Sequence, residues 1–227
     1  MSVAVWHRDD VLPQMKTVSG LMVGRMDDAE ALAQAQSRTP ALVHERFTAG
    51  HRAYVARLDG RIVAWGWVAM RRARIGELDL EFDVPAGERY LWNFVTLPGF
   101  RGRGIYPALL EQVLRQESAD AERFWIVYAP ENHASAAGIR RAGFRAAAEL
   151  SFDVEGRPAF RPHDDIRRPL AFAPRREDVL APCWRCARAG HAWLVACGPG
   201  RCHCDYQRPE RVCADAGAAP PRTGPTL

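Results

Sequence analysis

Apolar and polar positions along the chain change their period several times, and each change marks an element. Val3 to Trp6 is a short apolar run with strand character. Asp27-Asp28-Ala29-Glu30 opens a helix that runs to about Gln36, with its carboxylates at the favourable end of the helix dipole. Pro40 starts a second helix carrying Leu42, Val43 and Phe47, and Gly50 closes it. His51 to Leu58 alternates as a strand, Asp59-Gly60 makes a tight turn, and Arg61 to Met70 returns as the hairpin partner. Between Arg71 and Glu88 the charges of Glu77, Asp79, Glu81 and Asp83 alternate with Leu78, Leu80 and Phe82, which predicts a strand with one charged face. Its plain role is a sheet edge protected by charge. The alternative is an acidic rim that attracts a cationic amine.

The centre of the chain is Tyr90 to Leu114. Tyr90 to Leu97 is aromatic and β-branched, the composition of a strand. Ile105, Leu109, Leu110, Val113 and Leu114 then recur at helical spacing, with Pro107 in the first turn, where a missing N–H costs nothing. Between strand and helix lie Arg101, Gly102, Arg103 and Gly104. Glycines without a Cβ let the backbone turn sharply and a ligand approach closely. Unpaired N–H groups at the helix start complete a cradle for a phosphate or pyrophosphate. Downstream, Arg123 to Ala129 reads as a buried strand, Asn132 as an N-cap and Gly143 as a helix stop. Phe144 to Val154 predicts the next strand, Gly156-Arg157-Pro158 a turn, and Arg167 to Phe172 a segment that closes the sheet.

Arg101-Gly102-Arg103-Gly104-Ile105-Tyr106 after an apolar strand resembles the acyl-CoA loop of the GCN5-related N-acetyltransferase (GNAT) superfamily, which usually reads Arg/Gln-x-x-Gly-x-Gly/Ala. Tyr106 departs from it, standing where a small residue is usual. A strand followed by Asn132, Ser135, a short helix and Gly143-Phe144 resembles the family's next stretch. The resemblance implies an α/β (α+β) fold over residues 1–173: a mixed, mostly antiparallel central sheet flanked by helices. It implies acetyl-CoA as cosubstrate and a direct transfer to an amine. The main chain at Phe94, Val95, Thr96 and Leu97 would bind pantetheine. Arg101, Gly102, Arg103, Gly104, Ile105 and Tyr106 would hold the pyrophosphate, and Asn132 and Ser135 would border the pantetheine arm.

Catalytic side chains are less directly implied. Many relatives place a glutamate about a dozen residues before the glycine loop, which here falls on Tyr90. Glu88 lies two residues earlier on the same strand face and is the candidate base, against a plain role as a solvated strand-entry charge. Relatives also carry a tyrosine four residues before the Gly of Gly-Phe, as acid for the thiolate. Here that position is Ile139, with Tyr128 or Tyr106 as substitutes. Trp65, Trp67, Trp92 and Phe94 suit either an aromatic-walled pocket or core packing.

Of the 227 residues 48% are hydrophobic, enough for a sizeable core. There is no apolar run long enough to span a membrane, and the first residues lack the apolar stretch of a signal peptide, so a cytoplasmic protein is expected. A net charge of +4 does not by itself argue for nucleic acid. All the cysteines lie between Cys183 and Cys213. In a cytosolic chain this clustering favours metal over disulfides. Cys183, Cys186, Cys202 and Cys204 could form a tetrahedral Zn2+ site loosely resembling a zinc ribbon, with Cys197, His191 and His203 as competitors. Residues 174–213 are thus read as a small Cys-rich appendage, and 214–227, rich in Ala, Pro and Gly, as a disordered end. The expected function is N-acetyl transfer from acetyl-CoA to an amine of a small molecule or protein, with no membrane partner, nucleic acid disfavoured and a homodimer left open. The alternatives are an acyl-CoA-binding regulator without turnover, or a metal-binding interaction module on the same scaffold.

Overall fold

A computed structural model describes residues 1–16, 18–78, 80–152, 158–163 and 173–174. Cys183, Cys186, Cys202 and Cys204, and the segment Arg167 to Phe172, lie outside the described residues. The chain divides into two units. One comprises Met1–Ala73, Phe82–Leu150 and residues 160–163; the other includes Arg74–Glu81, described residues of Ser151–Ala159, and Ala173–Pro174.

The elements run β1 (Ser2–His7), β2 (Leu21–Met26), α1 (Ala29–Gln36), α2 (Pro40–Thr48), β3 (Arg52–Leu58), β4 (Arg61–Ala69), β5 (Arg72–Ile75), β6 (Leu80–Asp83) and β7 (Glu88–Thr96). There follow α3 (Ile105–Glu117), β8 (Arg123–Tyr128), α4 (His133–Arg141), β9 (Arg145–Phe152), β10 (Pro158–Pro162) and β11 (Ala173–Pro174). An eight-stranded sheet has the order β10-β9-β1-β8-β7-β4-β3-β2, and β11-β6-β5 form a separate sheet. Antiparallel pairs join β1 to β8, and β2 through β3 and β4 to β7, whereas β7 and β8 run parallel. The sheet is therefore mixed and mostly antiparallel, with helices packed on it, as expected.

Alternation along β3 shows how both faces are covered. Tyr54 and Ala56 belong to a cluster with Leu109, Leu110, Val113 and Leu114 of α3 and Ile139 of α4. Ala53 and Val55 belong to the opposite cluster, with Leu32 and Ala33 of α1, Val43 of α2, and Trp65 and Trp67. Each fully buried large apolar side chain contributes about 1.5–3 kcal/mol. A buried ionic group ties α3 to the sheet: Glu117 accepts from Tyr54 Oη at 2.7 Å, Arg52 Nη1 at 2.8 Å and Arg89 Nε at 2.9 Å.

Three expectations change. The charged stretch after Arg71 is two short strands separated by a 3-10 turn at Gly76–Leu78, not one continuous strand, because Val84 N bonds back to Arg71 O at 2.6 Å and closes the excursion. Pro158 opens β10 instead of lying in a turn; a strand's first residue is a position where proline's missing donor is tolerated. Strand β2 was not anticipated, because its alternation around Gly24 and Arg25 is weak and its pairing to β3 supplies the signal. No helix among the described residues is long and apolar enough to cross a membrane.

Candidate active site

Strand β7 organises the site. It pairs with β8 only from Glu88↔Arg123 to Leu91↔Ile126, although β7 continues to Thr96. From Trp92 onward its edge toward β8 is open among the described residues. On its other side it stays bonded to β4, but Trp65↔Val95 and Trp67↔Trp92 leave one extra residue in β7. This is a β-bulge, and Asn93, at φ 52°, takes the left-handed conformation there. The bulge flips the strand's facing. Leu91 and Phe94 both join the α3 cluster, while Trp92 and Val95 join the α1–α2 cluster. Phe94 is thereby separated from Trp65, Trp67 and Trp92, which lie on the other face. It lies over Gly66, where a Cβ would come within 2.2 Å of the ring.

The loop after β7 is short and specific. Leu97 N is held by Val63 O at 2.9 Å, a 3-10 turn spans Pro98–Phe100, and Arg101 Nε donates back to Thr96 O at 3.0 Å. Gly102 (φ 76°) and Gly104 (φ 78°) are both left-handed, with open space where a side chain would start. Gly104 is the N-cap of α3, and its carbonyl accepts from Ala108 N at 3.2 Å. The N–H groups of Gly102, Arg103, Gly104, Ile105 and Tyr106 have no acceptor among the described residues. They gather at the positive end of a 13-residue helix. Arg103, stacked 5.5 Å from the Phe100 ring, is exposed beside them. This donor set fits a diphosphate.

Tyr106, the departure from the loop pattern, turns away from the cradle. Its ring packs on Gly138 of α4, where a Cβ would lie 2.4 Å from it, and stands 6.0 Å from the Phe94 ring. Its hydroxyl is 3.3 Å from Ser135 Oγ. Burial pushes its phenol up to about 12, so Tyr106 is neutral at physiological pH. Asn132 Oδ1 caps α4 by accepting from Ser135 N at 3.0 Å. Ile139, where a tyrosine was sought, is buried in the core.

Glu88 is not a solvated strand-entry charge, and it does not reach the open edge. It is 0% exposed, lies where β7 and β8 are fully paired, and its carboxylate accepts from Arg123 Nη2 and Trp125 Nε1. Such a group suits a structural ion pair better than proton traffic with a ligand. Tyr128 ends β8 beyond the last residue paired to β7, half-buried against the α3 cluster. Of the acidic stretch, Asp79 is outside the described residues and Glu81 belongs to the other unit.

Across the α1–α2 face, sequence reasoning missed a second group. The Arg46 guanidinium lies 5.0 Å over the Trp67 ring and 4.8 Å over that of Trp92. Arg46 Nη1 donates to Gln36 Oε1 at 3.3 Å, and Trp92 Nε1 to His51 Nδ1 at 3.1 Å. Only the tryptophans had been noticed. Arg46 and His51 gave no signal because they come from α2 and the residue just before β3, and only the fold brings them over β7.

The Acetyltransferase (GNAT) family model matches residues 24–144, just over half of the chain, from β2 through Gly143-Phe144. The chain belongs to the GNAT family. This GNAT chain is also similar to solved structures at low identity. With a GCN5-related N-acetyltransferase from Kribbella flavida the identity is 18%, over 64% of this chain and 53% of that one, at a TM-score of 0.44. With a GNAT-family acetyltransferase from Novosphingobium aromaticivorans it is 22%, over 64% and 59%, at 0.44. With the ribosomal-protein-S18-alanine N-acetyltransferase of Escherichia coli it is 16%, over 61% and 88%, at 0.45. The chain thus spans 53% and 59% of the lengths of the first two. No curated protein matches it in sequence. Among the described residues, no group of His, Cys, Asp and Glu is arranged to hold a metal ion.

Proposed function

We propose that the protein is an N-acetyltransferase that uses acetyl-CoA to acetylate an amine. The observation that supports this best is the parting of β7 from β8 after Leu91, with the Asn93 bulge, just ahead of a loop of unpaired amides. Acetyl-CoA supplies the activated acyl group when bound. The N–H groups from Gly102 to Tyr106 receive its diphosphate, and the α3 dipole and Arg103 add positive charge. Main-chain groups of Phe94, Val95, Thr96 and Leu97 align the pantetheine along the open edge, as an added strand would be aligned. Amides fixed by the bulge stabilise charge developing on the thioester oxygen. Asn132 and Ser135 border the arm. Tyr128, past the end of the paired strands, is assigned the proton for the departing thiolate; the proton lost by the attacking amine passes through water and restores the phenol, and Glu88 is given no proton role.

Calorimetric titration with acetyl-CoA tests this reading. Micromolar binding is expected, abolished by Arg103→Glu, which places a carboxylate beside the cradle. An intact protein that does not bind acetyl-CoA would sink the proposal. The core position of Ile139 favours a second reading, an acyl-CoA sensor without turnover. Thiol release in the presence of amines separates the two. The spacing of Cys183, Cys186, Cys202 and Cys204 supports an independent zinc site in the C-terminal segment, tested by metal analysis of the purified chain.

A further inference from the structure

The group over the α1–α2 face is built almost entirely of donors. Trp92 Nε1 can only donate, so His51 Nδ1, its acceptor at 3.1 Å, carries no proton, and the neutral ring holds its hydrogen on Nε2. Gln36 Oε1 accepts from Arg46 at 3.3 Å, and the Gln36 amide Nε2 is buried with no acceptor among the described residues. Trp67 Nε1 is likewise buried with no acceptor among the described residues, in a residue with 0% exposure. Leaving such a donor unmet costs about 1–3 kcal/mol, so two in one cluster need an explanation. No carboxylate among the described residues forms an ion pair with Arg46, whose guanidinium sits on both indoles, although the charge of its neighbour Glu45 acts on it. The group therefore offers a cation, spare N–H donors and aromatic surface, and little to accept with beyond the second lone pair of Gln36 Oε1.

Its position gives this composition a use. Trp92 is the first residue of β7 past the last pair with β8, and it faces α2, opposite to Phe94 and Tyr106. An acyl group delivered along the open edge would arrive beside it.

The geometry points to an anion subsite for the acceptor, in which Arg46, with His51 Nε2–H and the Gln36 amide, binds a carboxylate. The acceptor class is an amine that also carries a carboxylate, of amino-acid type, with an apolar portion against Trp92. A polycationic amine is disfavoured, because Arg46 repels it. The inference rests on the acetyltransferase reading for its chemistry, but the subsite itself does not depend on turnover.

The two tryptophans make the subsite observable without catalysis. Intrinsic fluorescence is titrated with L-leucine, L-methionine and L-phenylalanine, with their carboxamides, and with spermidine. A saturable response to the free acids is expected, weaker for the carboxamides by about 10- to 100-fold, the range for losing hydrogen bonds to a charged group. Arg46→Gln should weaken the acids to the level of the amides and leave acetyl-CoA binding unchanged, and Arg46→Lys should restore part of the preference. Equal responses to acids and amides, a preference for spermidine, or no response to any acid would each overturn the inference. Acid-selective binding by a protein that does not bind acetyl-CoA would retain the subsite and reject the acetyltransferase reading instead.

Discussion

His51 keeps a neutral ring because burial first, and the Arg46 charge second, lower its affinity for a proton. Protonation would also break the bond it accepts from Trp92. The unfolded chain, titrating at the ordinary value near 6.5, binds that proton more readily than the folded one. Stability from this residue is therefore complete above that value and is lost as pH falls below it, levelling off beneath the lowered folded value. His7 shifts in the same direction, again mainly through burial, so a variant is needed to isolate His51. The urea midpoint of the wild type is expected to drop from pH 7.5 to pH 5.5 by more than that of His51→Gln. Equal drops would show that the Trp92 bond does not carry the effect.

At the scale of elements, the connection from β7 to α3 combines three local choices that only work together. The Asn93 bulge turns Phe94 onto Gly66, Arg101 ties the loop back to Thr96, and Gly104 enters α3 in a left-handed conformation. A β-branched residue pays heavily for positive φ, and at an N-cap that strain falls on the amides meant for a ligand. Gly104→Val is expected to weaken acetyl-CoA binding at least about tenfold, an effect of roughly 1.4 kcal/mol. The far-ultraviolet circular dichroism should stay unchanged, since α3 is held by its buried face. Undiminished binding by this variant would mean that the loop is not the cradle.

At the scale of the whole molecule, Glu117 links α3 to β3 and β7. Burial alone would raise its carboxyl, but bonds from Arg89, Tyr54 and Arg52 outweigh that and hold it below its ordinary value of 4.5. The contribution is fully present above the unfolded value and is lost as pH falls through the lowered folded one. Glu117→Ala should destabilise the protein by about 3–5 kcal/mol, because Arg89 is left buried without its counter-charge. Chemical denaturation near neutral pH measures this. A loss under about 1 kcal/mol would mean that water compensates the arginine easily.

Periodicity and punctuation made most elements legible in the sequence. The hairpin around Asp59-Gly60, the acidic helix start at Asp27-Asp28, the N-cap Asn132 and the glycine loop each follow from short-range chemistry, as does the family resemblance carried by neighbouring residues. What residues far apart do to one another was not legible there. Glu88 looked like a free acid at a strand entry until Arg123 and Trp125, on a parallel neighbour, enclosed it. Tyr106 stands where the loop pattern has a small residue, and only Gly138, from a separate helix, gives its ring a place. One bulge residue moved Phe94 to the opposite face from Trp92, and the packing of α2 set Arg46 over two tryptophans. Local sequence determined where the chain extends, coils and turns, because those preferences act within a few residues. Burial, pairing and charge at the site were decided by tertiary structure, because they depend on which distant segments the sheet order brings together.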